Sequence, residues 1–168
     1  MKITRLLSAT LLATSGIASA QPTDSPCDAA EYRQFDFWLG DFEVRTAEGE
    51  LAGQNLIEPI LGGCAITEQW TGAGGGRGRS VNFYDRSDGK WHQVWIDDRG
   101  QPLYLSGGFD GASMILAGET LDAAGKTTLQ RITWTPQPDG RVRQHWESSV
   151  DKGTNWSTAF DGYYARRP

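Results

Sequence analysis

Residues 132–146 read ITWTPQPDGRVRQHW, two alternating segments joined across Pro138-Asp139-Gly140. Apolar and polar side chains alternate on both sides of the turn, the period of a strand with one buried face. A three-residue loop, a type I turn closed by Gly140 in the left-handed region, sets the register. Trp134 then faces Gln144, and Ile132 faces Trp146, with Val142 on the same side. Arg131, Thr133, Arg143, His145 and Glu147 fall on the opposite side.

The same pattern occurs upstream. Residues 88–95, DGKWHQVW, echo residues 139–146, DGRVRQHW, and each follows an alternating segment. If Ser87-Asp88-Gly89 forms the same three-residue loop, Phe83 faces Gln93 and Val81 faces Trp95. Trp91 completes that face. Asn82, Tyr84 and His92 then point outward, with Tyr84 and His92 as cross-strand neighbours. Val94 and Ile96 also fall outside, and a four-residue loop would reverse the face.

Short segments rich in Val, Ile, Thr and aromatic residues continue along the chain after Gly40. Turn clusters separate them: Glu48-Gly49, Gly62-Gly63, Gly72 to Gly78, Asp88-Gly89, Arg99-Gly100, Asp110-Gly111, Ala124-Gly125, Asp139-Gly140 and Asp151 to Gly153. Regular turns of this kind indicate an all-β sandwich or barrel. No long stretch keeps a helical apolar period. The expectation is an all-β, single antiparallel up-and-down barrel of about ten strands, occupying residues 35–168. Residues 21–34 form a polar lead and a short helix, with Asp28 as N-cap and Glu31 at the third helical position. Asp161-Gly162 reads as a bulge in the last strand.

Residues 1–20 read as a signal peptide. Lys2 and Arg5 precede an interrupted apolar run from Leu6 to Ile17, and Ala18-Ser19-Ala20 is a small-x-small cleavage site. The run is too short and too polar for a membrane span. The expected location is therefore the periplasm or the extracellular space, with cleavage after Ala20. Losing two positive charges makes the formal net charge of −5 more negative still. An acidic chain has no electrostatic footprint for nucleic acid. Export places the two cysteines, Cys27 and Cys64, in an oxidising compartment, where an even count favours a disulfide. Asp24-Ser25-Pro26 before Cys27 is not a lipidation triplet.

Residues 35–42, FDFWLGDF, carry a family resemblance. They resemble the opening of a family of exported bacterial proteins of unassigned function, described as lipocalin-like β-barrels. That opening reads FDFWLG, then an acidic residue, then Trp or Phe. The likeness continues through Leu61-Gly62-Gly63-Cys64, GRSVNFYD at 78–85, WHQVW at 91–95, RITWTP at 131–136, Trp156 and Phe160-Asp161-Gly162. It implies a fold and no activity. Lipocalins proper open with Gly-x-Trp, here matched by Gly40-Asp41-Phe42. They also stack a late arginine on that ring, a role open to Arg166 or Arg167.

The inward face is the functional lead. Phe83, Trp91, Gln93, Trp95, Trp134, Gln144 and Trp146 are the candidate ligand-binding residues, aromatic walls with two amides to orient a ligand. The alternative is that they are packed core. The Gly-rich run at Gly72 to Gly78 lacks the Gly-Lys-Ser/Thr of a phosphate loop, and is either a mobile loop or a flap over the barrel mouth. His92 and His145 point outward, so no metal site or cofactor is expected. The serines have no Gly-x-Ser-x-Gly setting, and nothing in the sequence pairs Glu68, Asp97, Asp98 or Glu147. The reading that follows is a barrel for a small apolar or aromatic molecule. A hydrolase or isomerase with an interior site, or a non-catalytic interaction domain, is the alternative.

Overall fold

The computed structural model describes residues 25–168. The expected signal peptide and most of the polar lead lie outside the described residues. Ten antiparallel strands follow one another: β1 Gly40–Thr46, β2 Leu51–Ile60, β3 Ala65–Gly72, β4 Arg77–Asp85, β5 Lys90–Asp97, β6 Pro102–Phe109, β7 Met114–Leu121, β8 Thr127–Pro136, β9 Val142–Ser149 and β10 Ser157–Arg166. Each pairs with its neighbours in sequence, and β1 pairs with β10, closing the barrel. Closure leaves no edge strand unpaired.

The β8–β9 hairpin has the expected register. Trp134 pairs with Gln144, Ile132 with Trp146 and Thr133 with His145. Gln137 N–H bonds to Arg141 O at 2.8 Å around the three-residue loop, and Gly140 stands at φ +83°. A side chain there would be strained.

The β4–β5 hairpin differs. Asp85 pairs with Lys90, so four residues turn between them, and Asn82, not Phe83, pairs with Gln93. The extra residue moves β4 by one position, and a shift of one exchanges its two faces. Ser80, Asn82 and Tyr84 therefore face in. Val81 is exposed, and Phe83 lies outside, stacked on the His92 ring with centroids 5.4 Å apart. The neighbour of His92 is thus Phe83, and Tyr84 faces Trp91. In β5 the expected assignment holds: Trp91, Gln93 and Trp95 point in, and His92 points out.

Three smaller expectations are corrected. The N-terminal helix is a 3-10 turn, Ala30–Arg33, preceded by Ala29 without a side-chain cap. Asp28 instead accepts the Ser25 N–H at 2.8 Å. The bulge in β10 lies between Thr158 and Phe160, while Asp161 and Gly162 stay in the ladder opposite His145 and Gln144. The Gly-rich run is no long flap. Gly72 and Gly78 belong to strands, and Gly72 N–H meets Gly76 O at 2.8 Å in a tight turn.

The FDFW segment closes one end of the barrel. A second 3-10 turn, Asp36–Trp38, leads into β1. Phe35 and Trp38 are fully buried and stack at 4.8 Å between centroids. Phe35 meets Trp91 and Trp134 edge to face at 5.6 and 5.2 Å. Such offset and edge contacts suit the aromatic quadrupole. The Trp91 indole N–H reaches Glu31 O and Gln34 Oε1, each at 3.2 Å, anchoring the segment from inside. A Cys27–Cys64 disulfide fastens it from outside to the 3-10 turn Leu61–Gly63 between β2 and β3. Arg166 lies over Phe42, 5.1 Å from the ring centroid, where β1 and β10 close the wall. Gly40 leaves room for that guanidinium, since a Cβ there would strike Arg166 Nη1.

Candidate functional site

Alternation along the strands stacks the inward side chains in levels. At the closed end, Trp91, Trp134, Met114 and Val142 pack against Phe35 and Trp38. At the other end the filling stops. A cavity of about 230 Å³ remains. Trp70 from β3, Trp95 from β5, Trp146 from β9 and Phe160 from β10 line its upper part. Leu103 and Ile132 complete the apolar wall, and Glu68, Gln93, Gln144 and Tyr164 line the deeper part.

The rings are seated on glycines. Trp70 Cζ2 and Cη2 lie 2.8 Å from where a Gly53 Cβ would stand, and Phe160 carbons lie 2.5 Å from that of Gly162. Trp95 lies against Gly78 in the same manner. Each ring rests on bare backbone, which leaves its other side to the cavity. Trp70 and Phe160 meet edge to face at 6.1 Å. The Trp146 indole is held by Gln130 Oε1 at 2.7 Å, and Gln130 by Thr120 at 3.0 Å.

Beneath the rings runs a buried polar network. Gln93 Nε2 donates to Asn82 Oδ1 at 2.7 Å, and Asn82 Nδ2 to Ser80 Oγ at 2.9 Å. The Ser80 hydroxyl donates to Glu68 Oε2 at 2.7 Å. From the other side Asn55 Nδ2 donates to Glu68 Oε1 at 2.7 Å. The Tyr164 hydroxyl donates to Gln144 Oε1. Burial pushes the Glu68 carboxyl above its ordinary value, and the bonds from Asn55 and Ser80 oppose that shift. Burial, with the Glu68 charge close by, holds the Tyr164 phenol well above its own.

Of the seven residues singled out by sequence, four line the cavity: Gln93, Trp95, Gln144 and Trp146. Trp91 and Trp134 are inside but belong to the packed end. Phe83 is on the outer wall. Sequence reasoning missed Trp70, Phe160, Glu68 and Tyr164 as cavity residues. The sign of Glu68 is legible afterwards: it sits midway between Ile66 and Trp70, on the parity of an apolar face.

The outer face of β8, β9 and β10 is electrostatically satisfied. Arg131 holds Glu147 at 2.9 and 3.1 Å, and Arg143 holds Asp161 at 2.7 and 2.8 Å. Asp85, Asp88 and His92 gather in the β4–β5 turn. Their carboxylates already serve that turn, Asp85 accepting Ser87 N–H and Asp88 accepting Lys90 N–H. Among the described residues no helix is long and apolar enough to cross a membrane.

Fold and cavity together define a closed antiparallel barrel, plugged at one end and hollow at the other. Compared with known proteins, the chain matches no family model and no curated protein sequence.

Proposed function

We propose that the protein is an exported small-molecule-binding barrel, and that its ligand enters the aromatic end. The observation that carries this reading is the hollow lined by Trp70, Trp95, Trp146 and Phe160 over the Gln93 and Gln144 amides. Apolar walls with a few converging polar groups are the usual make-up of a ligand site. The volume of about 230 Å³ falls below the range of drug-sized sites, so the occupant is small, on the scale of one or two rings. The Cys27–Cys64 disulfide and the reading of residues 1–20 support export. The FDFWLGDF opening, with Arg166 over Phe42, supports the lipocalin-like family assignment.

Titration of the full chain with toluene, indole and 2-naphthol tests the reading. Tryptophan emission is expected to change saturably, and Trp95→Ala and Trp146→Ala to lose the response. A flat response to every probe overturns it. A second reading, catalysis, is favoured by one observation: Glu68 is a buried carboxyl held toward its neutral form beside a cavity. It requires turnover that Glu68→Gln abolishes while neutral aromatic probes still bind.

A further inference from the structure

We propose that this cavity takes a small organic cation, a tertiary or quaternary ammonium group, with Glu68 as its counter-charge and Trp70, Trp95, Trp146 and Phe160 as the cage around it. The assignment rests on the binding reading above and names the ligand class of the same site.

The first argument is the direction of the hydrogen bonds. Both Glu68 oxygens receive donors, Asn55 Nδ2 on one and the Ser80 hydroxyl on the other. The Ser80 proton is committed to Glu68 because Ser80 Oγ itself accepts from Asn82, which is in turn held by Gln93. Two strands, β2 and β4, thus place one donor on each oxygen of the carboxyl, with Gln93 of β5 holding Asn82 behind Ser80, and such bonds favour the ionised form.

The second argument is the charge that this arrangement lacks. A buried carboxylate is costly unless it meets a positive partner. Among the described residues no Lys, Arg or His lines the cavity. Asn55 from β2 and Ser80 from β4 touch Glu68, Asn82 and Gln93 stand behind Ser80, and Gln144 from β9 lines the same cavity, all uncharged. Tyr164 from β10 is the one other titratable group there, and burial keeps it neutral. Without such a partner burial holds Glu68 toward its protonated form, and a cationic ligand would supply the positive charge that the ionised form lacks.

The third argument is the wall. Aromatic rings attract cations through their quadrupoles, most strongly where water is excluded, and quaternary ammonium ligands are recognised in such cages. Three of the four rings are fixed in place by the glycines beneath them. A neutral hydrocarbon would use the same rings but make no use of the Glu68 charge, leaving that group toward its protonated form.

Binding a cation requires Glu68 ionised. Because burial raises its affinity for a proton, the cation displaces that proton, and affinity rises with pH. The experiment is calorimetric and fluorescence titration of the full chain with benzyltrimethylammonium, and with choline against its uncharged isostere 3,3-dimethylbutan-1-ol, from pH 5 to 9. The cations are expected to bind at least tenfold more tightly than the isostere at high pH. Their affinity should climb by up to about tenfold per pH unit before levelling. Glu68→Gln should remove the preference for charge while toluene and indole still bind. The wild-type pH profile needs no variant and stands even if Glu68→Gln fails to fold. Neutral aromatics binding with cations excluded, or cation affinity falling with pH, overturns the cation assignment and leaves the binding reading intact. A Glu68→Gln protein that still prefers cations also overturns it. No binding by any probe overturns both.

Discussion

The two ends of this barrel are built from the same residue types and do opposite things. At one end Trp38, Trp91 and Trp134 meet Phe35 and are almost wholly buried. At the other, Trp70, Trp95 and Trp146 stand around a hollow and stay partly exposed. The difference is the FDFW segment, which fills the first end and has no counterpart among the described residues at the second. Tryptophan content therefore says little about function until the chain supplies, or withholds, something for the rings to pack on.

The largest expected effect comes from emptying the packed end. Trp38→Ala should destabilise by about 3–5 kcal/mol, read as a lower denaturation midpoint, because it removes a large side chain from a site with no water access. Trp95→Ala, at the hollow end, should cost far less stability while abolishing ligand response. Equal costs for the two would erase the contrast.

Breaking the outer fastening comes next. Replacing Cys27 and Cys64 with serine should cost about 3–4 kcal/mol on the chain-entropy account, since the bridge closes a loop of 37 residues' separation. Hydrogen exchange should then rise first in the 30–38 segment and at Trp91, with the cavity strands following later.

Gly78→Ala sharpens the contrast from the other side. The new Cβ would meet the Trp95 ring, so a cost of about 1–3 kcal/mol from overpacking is expected. A shifted Trp95 environment, seen in emission, and weaker probe binding should accompany it. A variant of unchanged affinity would show that the ring's seat is not part of the site.

The smallest effect is electrostatic. Glu68 has its folded-state pKa raised above the usual 4.5. The unfolded chain thus releases this proton at lower pH than the folded one. Stability is full below that value and declines as pH rises, at no more than about 1.4 kcal/mol per pH unit, until the folded carboxyl has ionised. Glu68→Gln should flatten this decline in denaturation curves taken across pH 4 to 8, and a bound ammonium should offset it in the wild type.

The two Asp-Gly hairpins show where legibility in the sequence stopped. In β8–β9 the loop is three residues, and every inward and outward assignment follows from it. In β4–β5 one more residue enters the turn, so Phe83 moves outside and Asn82 inside. The strand on the far side, β5, kept its expected face because its own alternation, Trp91, Gln93, Trp95, is unambiguous. β4 carries Ser80, Asn82 and Tyr84 on one parity and Val81 and Phe83 on the other, and ordinary burial preference picks the wrong set. The polar set is inside because it serves a carboxyl on β3, a partner that local pattern does not reveal.

The sequence by itself determined the strand count, the turn positions, the disulfide partners and the phase of five cavity residues, Gln93, Trp95, Ile132, Gln144 and Trp146, because these depend on alternation and turn chemistry within a few residues. Closure of the barrel decided the rest. It brought Asn55, Glu68, Ser80 and Tyr164 from four strands into one buried network, and it set FDFW in one end and left the other hollow. Contacts between residues as far apart as Asn55 and Tyr164 have no local signature, since the energy that fixes them appears only when the strands meet.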